Sequence, residues 1–346
     1  MHLMNRLALI PVLAALTALA GCCFLRCRAP EADAASAIPP GRARYDESAR
    51  LWIVKGRGGM VLKVSEFGGR VVSLAVPDRD GVFANVVVGF DDHCAEMREW
   101  ANRIWDVEPF ERPMTGDAGL VLRLQSPAGE NGCEGNVNVT VTYTVTPDNK
   151  WLVDYAAMTD RATHINMTQR ACFNLLGKSN GDITGHWLKV DSVCYAVADE
   201  EGVATGEVRS VVGTALDFRK ARKIGERIDS ECPTLCGIGG YDHIFVLKGG
   251  VTRELKPAAT MWEDATGREL KVYTTEPGLH LYTGDMMELS GDGEDDGRLA
   301  SRGGVALETQ HFPNSANIRK FPSTVVTPNR PYESHTVYAF GIHRVR

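Results

Sequence analysis

Apolar and polar residues alternate with a period of two along much of this chain. The run from Val137 to Val145 is the clearest case. Val137, Val139, Val141, Tyr143 and Val145 fall on one side of it, and Asn138, Thr140, Thr142 and Thr144 fall on the other. Such a segment packs one face and wets the other. Shorter runs of the same character, rich in β-branched residues and bounded by Gly, Pro, Asp or Asn, begin at Leu51, Gly59, Arg70, Ala84 and Leu120. The pattern resumes at Trp151, Trp187, His243, Leu270, Leu279, Gly304 and Thr336. Helical periodicity is nearly absent, and only Ala221 to Ile228 predicts a short helix. Many strands without a βαβ rhythm predict an all-β fold, a large antiparallel β-sandwich.

The amino-terminal end breaks this pattern. Met1, His2 and Arg6 precede an apolar run from Leu7 to Ala20, and no acidic residue occurs before Glu31. That is the form of a secretory signal, and it is shorter than the roughly 20 apolar residues of a spanning helix. It ends in Leu19-Ala20-Gly21-Cys22, which resembles a bacterial lipobox, in which Cys22 is acylated and becomes the first residue. The alternative is ordinary signal cleavage with Cys22 as a bystander. The expectation is thus a signal peptide over 1–21 and an exported protein, lipid-anchored to a bacterial membrane. Cys23 in place of an aspartate points to the outer membrane, facing the periplasm or the cell surface. Residues 22–44, rich in Ala and Pro and without periodicity, predict a flexible tether. Residues 45–346 predict one domain, because no second Pro/Ser-rich break interrupts them.

Charge and cysteines narrow the function. The formal net charge is −6, and Lys and Arg are scattered, which excludes the basic footprint of a nucleic-acid partner. Nine cysteines in an exported chain permit disulfides. Cys232 and Cys236 are close enough to pair, while Cys94, Cys133, Cys172 and Cys194 have no inferable partner. No CxxC pair or histidine cluster has zinc spacing. The acidic stretch from Asp292 does not fit a calcium loop and reads as a solvated turn. No metal and no cofactor are expected.

Longer words in the sequence are more specific. They are Phe67-Gly-Gly-Arg-Val-Val-Ser-Leu-Ala-Val-Pro-Asp-Arg-Asp-Gly, Gly239-Gly-Tyr-Asp-His-Ile-Phe-Val-Leu, Thr274-Thr-Glu-Pro-Gly-Leu-His-Leu-Tyr-Thr-Gly and Leu307-Glu-Thr-Gln-His-Phe-Pro-Asn-Ser-Ala-Asn. With Thr205-Gly-Glu, Gly213-Thr-Ala-Leu-Asp-Phe-Arg and Thr266-Gly-Arg they span residues 60 to 340 in order, and together they resemble the aldose 1-epimerase (galactose mutarotase) family. The resemblance implies the family's many-stranded supersandwich. It implies interconversion of the α and β anomers of a free hexose by acid/base ring opening. It also implies that Glu308 is the base and that Asp242, an acceptor-only carboxylate, orients sugar hydroxyls. His243 and His311 lie in family words but read as packing residues.

The same resemblance exposes departures. Where the family carries its acid histidine, this chain reads Thr168-Gln-Arg-Ala-Cys-Phe-Asn-Leu, so Arg170 takes its place. A guanidinium donates hydrogen bonds but does not release a proton near neutral pH, which leaves Arg170 a substrate-binding role. A second family histidine belongs to a segment that is missing between Gly89-Phe90-Asp91 and Trp105. Arg103, in Ala101-Asn-Arg-Ile, is either the family's sugar-contacting arginine or the basic residue before its Trp-Asp-Val-Glu strand, and Asn102 shares that ambiguity. His280 stands where the family has a sugar-contacting glutamine, and an imidazole there can serve as the acid. The alternatives are a catalytically impaired carbohydrate-binding pseudoenzyme of the same fold, or a structural lipoprotein without a sugar site.

Overall fold

The computed structural model describes residues 35–88, 99–178, 180–199, 202–231, 235, 239–284 and 301–344. Cys22, the expected signal segment, Cys94, Cys232, Cys236, residues 89–98 and the acidic stretch at Asp292 all lie outside these residues. The described part is built from antiparallel strands arranged as a nine-stranded sheet, a seven-stranded sheet, a five-stranded sheet and a two-stranded ribbon. Three short 3₁₀ turns are the helical elements named among the described residues. None of these is long and apolar enough to cross a membrane.

Alternation dictates how the two large sheets meet. The predicted Val137–Val145 strand forms as expected, paired on one side with Asp117–Ser126 and on the other with Lys150–Thr159. Its Val137, Val139, Val141, Tyr143 and Val145 enter the main core. From the seven-stranded sheet, Phe245, Leu279, Leu281, Val305, Leu307 and Phe173 point into that same core. Trp151 and Tyr338 stack at its centre with ring centroids 5.0 Å apart, and Phe173 leans on Tyr338 at 5.4 Å. Two polar contacts also bridge the sheets: Tyr338 Oη donates to the Leu307 carbonyl at 3.1 Å, and the Thr309 and Thr336 hydroxyls lie 2.6 Å apart. Because successive side chains alternate, the neighbours of these core residues, among them Glu308 and His280, must occupy the opposite face of the seven-stranded sheet.

Two expectations are corrected. The short helix over Ala221 to Ile228 is instead a two-residue strand, Arg222–Lys223, followed by a 3₁₀ turn, Ile224–Glu226. The Ile224 and Gly225 amides donate to the His186 and Thr184 carbonyls, so the backbone is satisfied by a neighbouring segment rather than by its own next turn. Within the stretch expected to be a tether, residues 35–44 join the fold. Ala35 and Ile38 are each 4% exposed and pack on Ile53, Lys55 Nζ donates to the Ala35 carbonyl at 3.0 Å, and Arg42–Asp46 is already an edge strand pairing with Leu51–Lys55.

Candidate active site

Cross-strand register assembles the site. On the face of the seven-stranded sheet away from the main core, Ala196 pairs with Ile244, Ile244 with His280, and His280 with Glu308. These four form one row across four strands. In the next row Asp242 pairs with Tyr282, Tyr282 with Ala306, Ala306 with Cys172, and Cys172 with Val88. Asp242 therefore sits diagonally from His280, within reach of its ring. The pairing of Cys172 with Ala306 and of Phe173 with Val305, continued by two residues, places Arg170 opposite Glu308.

Side-chain contacts follow that layout. His280 Nε2 lies 2.5 Å from Asp242 Oδ1, and Arg170 Nε lies 3.1 Å from Glu308 Oε1. The latter is an ion contact out of line with a good hydrogen bond, since Oε1 has no well-directed donor. Glu308 is only 3% exposed, while the side chains of Arg170, Asp242 and His280 keep 45%, 42% and 23% of their surface in solvent. A buried carboxylate thus forms the floor, with an open, charged rim above it. Two small apolar groups flank the quartet: Ile244 with Ala196, Phe312 and Phe321 on one side, and Ala306 with Val88, Cys172 and Tyr282 on the other.

Burial pushes the Glu308 carboxyl above the usual carboxylate range, against the Arg170 guanidinium and the His280 ring, which pull it down. For His280 burial opposes the charged form. The hydrogen bond that the ring donates to Asp242, with the negative charges of Glu308 and Asp242, outweighs it and raises the ring above its ordinary value. Burial raises Asp242, but its bond to His280 and the nearby positive charge carry it below the ordinary value. A carboxylate made more basic and an imidazole that holds its proton longer stand side by side.

Four of the six site residues singled out in the folded domain, Glu308, His280, Asp242 and Arg170, come together in this way. Arg103 and Asn102 take other contacts. Arg103 Nη1 donates to both carboxylate oxygens of Glu130, at 2.8 and 2.9 Å, and Ser126 Oγ donates to the same carboxylate. Asn102 ends a 3₁₀ turn, Glu99–Asn102, where its Oδ1 accepts from Arg70 at 3.3 Å. Arg103 lies just ahead of Trp105 and the Asp106–Arg112 strand, and its guanidinium is engaged by Glu130 rather than by the quartet. His243 faces the core side with its ring edge-on to Tyr195, and its Nδ1 accepts from the Asp242 amide at 3.0 Å. A hollow of about 530 Å³ lined by Ile38, Tyr45 and Ile53 lies on the five-stranded sheet and includes none of the quartet. Among the described residues no group of three or more His, Cys, Asp or Glu side chains is placed to hold a metal ion.

Sequence reading passed over three polar residues on the approach to Arg170. Glu276 and Tyr332 are buried, Asn166 is exposed, and all three are hydrogen-bonded around the segment leading to it. Their signal was a carboxylate and an amide within stretches otherwise read as strand or loop, which periodicity does not interpret.

Comparison with known proteins accords with this geometry. The family model of the aldose 1-epimerases matches residues 99–339. Human galactose mutarotase is 32% identical over 288 residues, covering 82% of this chain and 81% of the human protein. The aldose 1-epimerase of Escherichia coli K12 is 28% identical over 350 residues, covering 87% of this chain and 98% of its own. Among solved structures, the galactose 1-epimerase of Lactobacillus acidophilus superposes with a TM-score of 0.71 at 21% identity, over 85% of this chain and 95% of that one. All four residues of the quartet fall within the family match, and the chain belongs to the aldose 1-epimerase family.

Proposed function

We propose that this protein interconverts the α and β anomers of free hexoses such as galactose or glucose, with Glu308 as the base and His280 as the acid. The observation that carries this reading is the direct cross-strand pairing of Glu308 with His280 on the face away from the main core. In ring opening the anomeric hydroxyl gives up a proton, the bond from C1 to the ring oxygen breaks, and the ring oxygen gains a proton. Both oxygens are attached to C1, so base and acid must be neighbours. Rotation about C1–C2 and reclosure, with the two protons returned, yields the other anomer and leaves the protein unchanged.

Each partner has a part. Arg170 helps keep the buried Glu308 ionised and offers donors to the sugar, but it is no proton source. Asp242 accepts from His280 and retains acceptor capacity for sugar hydroxyls. Ile244, Ala306 and the Tyr282 ring suit the apolar face of a pyranose. The names of the human and E. coli relatives support the same activity. Polarimetry on α-galactose and α-glucose tests it: wild type speeds the approach to equilibrium, and Glu308→Gln and His280→Gln lose that rate. Equal rates for wild type and Glu308→Gln would leave a sugar-binding protein only.

The same reading includes an exported, lipid-anchored protein acylated at Cys22, on the strength of the Leu19-Ala20-Gly21-Cys22 motif. Palmitate incorporation that Cys22→Ala abolishes is the expected result, and incorporation unchanged by that substitution would remove the anchor.

A further inference from the structure

The segment Asn166 to Arg170 carries no regular strand, yet it delivers a guanidinium to Glu308. Its path is fixed at successive points. The Asn166 side chain acts as a substitute strand partner: its Nδ2 donates to the His311 carbonyl at 3.0 Å and its Oδ1 accepts from the His311 amide at 3.0 Å. Next, the Met167 amide donates to Tyr332 Oη at 3.4 Å. Gln169 Nε2 then donates to Tyr143 Oη at 3.3 Å, and Tyr143 donates on to the Gly69 carbonyl.

Behind the first two points lies one carboxylate. Glu276, 2% exposed, receives Tyr332 Oη on Oε1 at 3.1 Å and lies 2.6 Å from His311 Nδ1 through Oε2. Its own backbone carbonyl accepts from Lys256 Nζ at 2.6 Å. Glu276 therefore ties together the residue that Asn166 grips and the hydroxyl that holds Met167. It belongs to the stretch leading into Gly278–Tyr282, the strand of His280, and His311 directly follows the strand of Glu308. The network closes the end of the same strand pair that bears the proposed base and acid.

We propose that Asn166, backed by Glu276, His311 and Tyr332, is a positioning device that sets Arg170 against Glu308 and so sets the proton affinity of the floor carboxylate. The inference deepens the epimerase reading and rests on it for its consequence in catalysis, but its physical content is a property of Glu308. The groups facing that carboxylate are Arg170 from the clamped segment, His280 from the adjacent strand, Asp242 from the strand beyond it, and the Tyr338 hydroxyl from the core side. Of these, Arg170 alone arrives on a segment with no strand pairing of its own.

The test follows Glu308 by ¹³C NMR in protein labelled at the glutamate carboxyl carbon, its resonance identified by its disappearance in Glu308→Gln. Arg170→Met moves the Glu308 midpoint to higher pH by about one unit or more. Asn166→Leu, which removes both clamping groups at similar size, moves it the same way by a large part of that shift, and adds nothing when combined with Arg170→Met. Tyr332→Phe, which removes only the hydroxyl, gives a smaller shift in the same direction and carries the test if Asn166→Leu does not fold. A midpoint unchanged by Asn166→Leu or by Tyr332→Phe, or moved equally with and without Arg170, overturns the proposal. The titration needs no activity, so a wild-type chain without polarimetric activity would sink the epimerase reading while leaving the clamp readable.

Discussion

Glu308 and His280 are direct cross-strand partners of an antiparallel pair, both on the face of the sheet turned away from the main core. Partners in such a pair have Cβ atoms about 5 Å apart. The proposed base and acid are thus held by backbone hydrogen bonds at a separation suited to two oxygens on one carbon.

Replacing Glu308 with Gln should cut the anomerisation rate by about 10²- to 10⁴-fold, the usual contribution of a positioned general base. Stability should not fall with it. The folded-state pKa of Glu308 is raised, so its favourable contribution is complete below about 4.5 and is lost as the pH rises through the folded value. Thermal melts should show wild type losing ground to Glu308→Gln between acid and neutral pH. A variant that melts lower at neutral pH would contradict this.

The pH dependence of kcat/KM should be a bell. Its acid limb comes from ionisation of Glu308 and lies above the ordinary carboxylate range; its basic limb comes from loss of the His280 proton and lies above the ordinary imidazole value. Arg170 pulls both groups down, so Arg170→Met should move both limbs to higher pH. Asp242 raises both, so Asp242→Asn should move both to lower pH. Limbs that move in opposite directions in either variant would remove the assignment.

Arg103→Gln should lower stability by about 1–3 kcal/mol, because the mostly buried Glu130 carboxylate loses its two charged hydrogen bonds and keeps only Ser126. Once the protein is folded, kcat and KM should stay at wild-type values. A raised KM with an unchanged melting temperature would return Arg103 to the sugar site.

Gly278→Ala should damage both fold and rate. A Cβ there would meet the Gln310 carbonyl and the Phe312 ring at 2.9 Å, and a paired backbone cannot give way cheaply. A cost of about 1–3 kcal/mol is expected from overpacking. The neighbouring His280 and Glu308 strands would be pushed apart, so kcat should fall more than KM rises. Unchanged denaturation and kinetics would show that the strands have slack.

The sandwich was legible because alternation is a local signal: the two faces of Val137–Val145 and of Val305–Gln310 are written in consecutive residues. Glu308, Asp242 and His280 could be found because each lies in a word carrying a family resemblance. Arg103 could not be resolved, since its partner Glu130 is 27 residues away and nothing in the intervening chain announces the pair. The Ala221–Ile228 stretch misled for a similar reason, as backbone bonds to residues 184–186 settle its conformation. Ala35 and Ile38 looked like linker because two apolar residues among Ala and Pro make no period, yet they find a hollow formed by strands that follow them. The Ser192–Ala198 and Ala204–Ser210 strands escaped because one holds a bulge and the other a Gly-Glu step, each interrupting the alternation.

The two-faced strand of Glu308 has a consequence for how such a protein can change. Leu307 and Thr309 answer to the interior, whereas residue 308 and its neighbours across the sheet answer to whatever molecule lands on them. Chemistry on the outer surface can therefore be rewritten, a histidine exchanged for an arginine or a glutamine for a histidine, while the interior records none of it. Such a chain can drift toward a new reactant long before its architecture notices.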